Sequence, residues 1–565
     1  MFSLPPLARS AALSLRLAPD RPAYAAAARA FAAAALIAGF GVLVGDLQAV
    51  AVSYLGAACA VAFVSGGPYF HRAVALSAQG VGAAVGICVG ALTPPMPAAL
   101  IAAAAAAGVV SGAAGTIGPN APGFGMMLSI GVAFGQFGGS SLPWWQQVAW
   151  YVAGTGLVAL AALAPWLFRR GAIERRAAAT MMLAAADLCA ATGTVDGRRA
   201  RARLAATSAV ARTTGPQARA QLVAFAAATM YADRETVPEE AVTAIRAAAA
   251  QIRACEPVSV RYATTSPSPG LRALADALSP QPQRLPASHV RRFRASLRAA
   301  LTSTARVNAA RIGLCMGMAT ALTIALHERD HSFWLPLTVA VIVRPEYASV
   351  FVRTVNRVCG TLVGASLIAL LLSFHPPAVV LALAAAVALG FAVLTAPKLY
   401  ALSVIGVTAS ALLSASLIDP DSGLPALRML DTVIGAAVAV VFGYLVWPGA
   451  RRLPGVARLD AAVTAATLYL DEAVKEPDER VRLQSRRDDA YRLAHQARAG
   501  AQAAMAEPPP VSSFAIKVIP LATQLEDIVD AVTAVAAATD VGQRDDARVA
   551  DLCHRLSSML SGLAV

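Results

Sequence analysis

In the stretch His331–Gly364, HSFWLPLTVAVIVRPEYASVFVRTVNRVCGTLVG, a short apolar run leads into an Arg-Pro-Glu turn, two arginines and two glycines. Arg353, Arg357, Gly360 and Gly364 fall at steps of four, three and four, so they share one face of a helix. A cation at bilayer depth costs roughly 2.5–3.5 kcal/mol on insertion scales and calls for a reason. A face that is cationic at one end and small at the other fits a close-packed helix guarding an anion's path.

Four arginines, Arg29, Arg311, Arg353 and Arg357, begin outward-running helices, where the helix dipole mildly disfavours a cation. Unpaired N–H groups at a helix start, together with arginine, make an anion site. The competing account is snorkelling of long basic side chains toward the membrane surface. Arg344 ends an inward-running helix, where a cation suits the dipole and anchors topology. Trp334 and Tyr347 flank the short span as interfacial belt residues or as an aromatic wall for a flat substrate. Arg428 and Asp431 form either a structural ion pair or a proton-coupling site. His327–His331 fits the letters H-E-x-x-H but falls in a turn with no third ligand nearby, so chance is favoured over zinc chemistry. The lysines Lys398, Lys475 and Lys517 never follow a glycine, which excludes a P-loop. No cofactor, metal or catalytic residue is expected, and the chain is not expected to be an enzyme.

These residues need a membrane scaffold. Of 565 residues 57% are hydrophobic and only 14% charged, against about 25% charged in soluble proteins. Apolar runs near the roughly 20 residues that span a bilayer fall at 24–45, 48–65, 73–92, 97–118, 122–139 and 147–168. A second set falls at 305–327, 333–344, 356–374, 377–396, 399–418 and 427–447, the run at 333–344 being short. The first run is too long for a signal peptide and leads straight into a second span. The net charge of +14 comes largely from arginines at membrane ends, so nucleic-acid binding is not expected. Seven cysteines without a CxxC pair read as small hydrophobes.

The two sets repeat. Arg29 and Arg311, Pro94-Pro95 and Pro376-Pro377, and Gly82 and Gly364 share one separation, with Trp166 and Trp447 one residue off it. The glycine faces Gly82/Gly86/Gly90 and Gly360/Gly364 are small-xxx-small packing patterns. Loop arginines place both termini in the cytoplasm, and an even number of spans inserts both repeats in the same sense. The expected fold is an all-α integral membrane protein with two parallel six-helix repeats, each followed by a cytoplasmic helical module. The boundaries are 1–168 and 169–304 for the first repeat and module, 305–448 and 449–565 for the second.

The block Trp334, Pro336, Leu337, Thr338, Arg344, Pro345, then Arg353, Arg357, Gly360, Thr361, Gly364, resembles the fusaric acid resistance-like family of inner-membrane proteins, which includes aromatic acid exporters. Plant malate channels, built as dimers of six-span subunits, look like relatives. The resemblance implies efflux of aromatic carboxylic acids or similar organic anions, with the two repeats standing in for two subunits. The first repeat keeps the layout but has lost most of the motif. On this reading Arg29, Arg311, Arg353 and Arg357 collect the anion at the inner mouth, and Trp334 and the glycine faces line or seal the path. Arg344, Pro345, Gly360, Thr361 and Gly364 carry the motif and its packing. An ion gradient would drive transport. A passive anion channel, or a scaffold using its cytoplasmic modules, stays open. The expected partners are the lipid bilayer and a small organic anion, with a homo-oligomer or a membrane or periplasmic adaptor left open.

Overall fold

A computed structural model describes residues 6–62, 68–115, 117, 120–214, 218–279, 303–326, 333–344, 350–418, 423–447, 453–474, 480–540, 542–543 and 545–563. His327, His331, Pro345 and Tyr347 lie outside the described residues. Every regular element among the described residues is helical, and the chain divides into two compact units.

Unit 1 comprises Met1–Phe168, His289–Arg451 and the short segment Ala506–Pro508. After α1 (Pro6–Ser14), six helices follow: α2 (Tyr24–Val44), α3 (Leu47–Ala62), α4 (Tyr69–Leu92), α5 (Pro97–Ala114), α6 (Ala121–Phe137) and α7 (Trp144–Leu163).

Among the described residues, five helices of unit 2 intervene: α8 (Ala172–Ala191), α9 (Gly197–Thr214), α10 (Ala218–Ala232), α11 (Glu239–Ala254) and α12 (Pro269–Ala277). Unit 1 then resumes with α13 (Ser303–Ala325), α14 (Trp334–Ile342), α15 (Val350–Leu372), α16 (Ala378–Thr395), α17 (Tyr400–Ala415) and α18 (Leu424–Val440).

Among the described residues, twelve apolar helices thus stand at the twelve apolar runs of the sequence. Among the described residues, eight are long and apolar enough to cross a membrane by length and composition. Leu47–Val61, Ala121–Phe137 and Tyr400–Ala415 are shorter, and α14 has nine residues. The chain is a multi-pass membrane protein.

The two sets of six pack with matching partners. The third helix of each lies on the fifth, α4 on α6 and α15 on α17, and the second lies on the sixth, α3 on α7 and α14 on α18. Between the sets, α2 packs on α16 and α13 on α5, first helix against fourth in both directions. The fifth helix of each set likewise meets the second of the other, α17 with α3 and α6 with α14.

Glycines permit the tightest of these crossings. A Cβ on Gly82, Gly86 or Gly90 of α4 would stand 2.4, 2.4 and 2.3 Å from the carbonyl oxygens of Phe124, Leu128 and Val132 in α6. Backbone meets backbone there, as small-xxx-small faces allow.

Unit 2 is Arg169–Ser288, Arg452–Met505 and Pro509–Val565. To α8–α12 it adds α19 (Leu453–Ala473), α20 (Arg480–Ala504), α21 (Val511–Asp540) and α22 (Asp546–Leu563). The polar segments expected as two modules fall in this one unit. Its cores are alanine-rich, with Met182, Leu188 and Ile245 in one and Tyr469, Leu525 and Val532 in the other. A buried ion pair joins Arg201 to Asp530, whose Oδ1 also accepts from the Tyr491 hydroxyl at 2.8 Å.

Candidate functional site: a cationic cavity in the membrane unit

The α15 helix begins at Val350 and carries its arginines one turn apart. Gly360 and Gly364 seat it against α17, where a Cβ would stand 2.6 Å from the Ala401 carbonyl and 2.9 Å from that of Ile405. Thr361 faces Thr408 at 3.5 Å between hydroxyls. Asn356 fixes the same face, its Nδ2 donating to the Ser14 carbonyl and its Oδ1 accepting from the Ala401 N–H, both at 2.9 Å. With α15 held this way, Arg357 is turned into unit 1.

Arg357 lines a cavity of about 560 Å³. The wall follows α17 along its whole length, through Tyr400, Ser403, Val407, Ala411, Ser414 and on to Ile418. At 1.5 Å per residue its helical part, Tyr400–Ala415, is roughly 23 Å long, most of the thickness of a bilayer's hydrocarbon core. The first set of helices supplies the facing wall with Tyr54, Cys59, Ala75, Gln79, Met126 and Phe134. Small hydroxyls and apolar groups dominate, and the cationic residues on the wall are Arg344, Arg357 and Arg428.

These arginines differ in what holds them. Arg428 donates to the Trp334 carbonyl at 3.2 Å and to the Thr338 hydroxyl at 3.5 Å, and its guanidinium lies 5.4 Å from the centre of the Trp334 ring. Asp431, one turn along α18, adds an opposite charge. Arg357 is 5% exposed and makes no hydrogen bond or ion pair among the described residues. Arg357 and Arg428 line the same cavity. Trp334 stacks edge-on with Phe333, which meets Phe134 edge-on at 5.3 Å, giving the wall an aromatic corner.

The arrangement brings together Trp334, Arg344 and Arg357 from the residues singled out in the sequence. Arg29, Arg311 and Arg353 are absent from the cavity lining. Arg29 is half-buried on α2. Arg311 is fully buried and donates to the Gly443 carbonyl at 3.3 Å and to the Arg344 carbonyl, tying α13 to the ends of α14 and α18. Arg353 donates to the Ile342 carbonyl at 3.1 Å, closing the end of α14.

Arg428 is the wall residue left undecided by sequence. A sequence signal for this wall is the run of small hydroxyl residues Ser403, Ser410 and Ser414 at helical spacing on α17, which line the same cavity as Arg428. Among the described residues no group of His, Cys, Asp and Glu could hold a metal ion.

Residues 304–442 match the family described as fusaric acid resistance protein-like, so the resemblance read from the Trp334–Gly364 motif is borne out over the second set of helices. A 165-residue stretch is 31% identical to the uncharacterized protein YhfK of Escherichia coli (strain K12). That match takes in 28% of this chain and 23% of the E. coli protein, so the chain spans less than a quarter of that relative's length. No solved structure matches the chain.

Proposed function

We propose that this chain, whose residues 304–442 match the fusaric acid resistance protein-like family, carries a small organic anion across a cell membrane through the cavity along α17. The observation that carries the reading is Arg357, a cation nine-tenths buried on the cavity wall with no partner of its own among the described residues. A buried charge left unpaired costs several kcal/mol, which an incoming carboxylate would offset. The aromatic corner at Phe134, Phe333 and Trp334 favours an anion with a flat ring, hence an aromatic carboxylate. The matching helix pairings support a duplicated scaffold about a twofold axis along the membrane normal, with the path between its halves. The arginines of the loops support a topology with both termini and unit 2 on the cytoplasmic side of an inner or plasma membrane. The chain acts as a carrier and performs no covalent chemistry.

Among the described residues no carboxylate lines the cavity, and this favours a second reading, a passive anion channel without proton coupling at the wall. Purified protein in liposomes, loaded with labelled benzoate, separates the two. Efflux that accelerates under an imposed pH gradient marks a coupled exporter, and equal flux without one marks a channel. Absence of protein-dependent flux for benzoate and for aliphatic dicarboxylates would overturn both.

A further inference from the structure

The foot of α15 is occupied by one of the protein's own carboxyl groups. Glu507 is fully buried, and its segment Ala506–Pro508 belongs to unit 1. Its Oε2 accepts the Phe351 N–H at 3.3 Å, and the Val352 N–H also bonds the carboxyl group. These are first-turn donors that a helix leaves without partners of its own. The Glu507 carbonyl in turn accepts from the Ser10 hydroxyl of α1 at 3.2 Å. Among the charged groups of the elements packed here, Arg353 acts on Glu507, while Arg9 of α1 is exposed. The other oxygen, Oε1, is buried and has no hydrogen-bond partner among the described residues. A carboxyl group with one oxygen bonded and the other orphaned in a dry site has room for a proton on the orphan.

We propose that Glu507 is a proton-binding site that sets the anion affinity of the cavity through α15. The proposal rests on the anion-carrier reading above. Ionised, Glu507 holds the first turn of α15 and cancels part of the positive field of that helix end and of Arg353. Arg357 lies six residues beyond Phe351, about 9 Å along the helix axis. Protonation removes one negative charge at that range, and the field at Arg357 becomes more attractive to an anion. The carboxyl's surroundings agree: burial raises it from 4.5 to about 7, against the opposing pull of the Val352 and Phe351 N–H groups and of Arg353. A weak acid that enters a cell neutral and ionises inside releases a proton on the face where such a site would respond.

The test uses the full chain in liposomes with pH equal on both faces, so that no gradient drives transport, and with protein-free vesicles subtracted. Benzoate flux through the wild type should rise on the order of tenfold between about pH 8 and 6, as one unit charge at that distance gives at an effective dielectric near 20. Glu507→Gln should hold the high flux at every pH in that range, as should Glu507→Ala. A variant that keeps the wild-type profile overturns the proposal. Should neither protein carry flux, the transport reading fails, and the proton site is judged by infrared difference spectra and amide exchange. A carboxyl band that titrates near neutrality and vanishes in Glu507→Gln, with faster exchange at Phe351 and Val352 on the acid side, supports the site. The lack of that band overturns it.

Discussion

The third helices of the two sets, α4 and α15, occupy the same place in the packing and do different work. Each lies along the fifth helix of its own set on a row of glycines. The α4 row is longer and tighter, with Gly82, Gly86 and Gly90 each against a carbonyl of α6. The α15 row is shorter, and Arg353 and Arg357 precede it. At the spacing that relates Gly82 to Gly364, Ala75 stands where Arg357 stands, and both line the cavity. One wall is therefore a closed seam and the other a charged one. The feet differ as well: α4 starts after Pro68 with no side-chain cap, and α15 borrows Glu507. With two sets of helices packed in the same pattern, one set can keep the rigidity and the other place costly charge, because a single seam suffices to fix the shared wall.

The sharpest way to break this contrast is Arg357→Gln. One charge-assisted hydrogen bond to a bound anion is worth about 1.5–3 kcal/mol, so flux or anion affinity should fall on the order of tenfold to a hundredfold. Thermal stability in detergent should hold or rise, since a buried charge without an ion-pair partner among the described residues is removed. Arg311→Gln should do the reverse. It leaves the Gly443 and Arg344 carbonyls short of a donor and should cost about 2–4 kcal/mol of stability. Equal effects of the two substitutions on stability and flux would erase the distinction between an arginine that holds the fold and one that serves the path.

Sequence periodicity was enough to find both glycine rows, the twelve apolar helices and the shared face of Arg353 and Arg357. It could not tell the arginines apart. Arg29 and Arg311 match in spacing, yet one is half-buried on α2 and the other ties carbonyls far away in the chain. A guanidinium reaches several ångströms from its backbone, and which carbonyl it meets depends on packing that no local pattern encodes. Arg353 shows the same limit: its face was legible, but its partner, the Ile342 carbonyl, depends on how α14 ends. Glu507 was illegible for a stronger reason. It sits in AEPPPVSS, a stretch whose prolines announce only a loop, and its contacts with Ser10 and Phe351 span most of the chain.

The foot of α15 sharpens the contrast through pH. Burial lifts the Glu507 carboxyl from 4.5 to about 7, so the folded chain holds the proton more tightly than the unfolded one. The resulting stability is full below about pH 4.5 and is lost as pH rises through about 7. The change is at most about 3 kcal/mol. Unfolding midpoints measured across that window should fall for the wild type relative to Glu507→Gln. Parallel curves for the two proteins would mean that Glu507 is not the group responsible.

The smallest effect expected separates the two seams themselves. Gly82 and Gly364 correspond in spacing, but an added Cβ would stand 2.4 Å from the Phe124 carbonyl at the first and 2.9 Å from the Ile405 carbonyl at the second. Backbone at 2.4 Å has no rotamer to move, so the helices must part; at 2.9 Å a shift of a few tenths of an ångström relieves most of the clash. Overpacking costs about 1–3 kcal/mol, and Gly82→Ala should fall at the upper end with Gly364→Ala at the lower. In flux the order should reverse, because parting α15 from α17 displaces Arg357 and widens the wall that both helices form, while α4 meets the cavity through Ala75 and Gln79. If Gly82→Ala proves the gentler change in stability and the harsher in flux, the assignment of seam to one copy and path to the other is wrong.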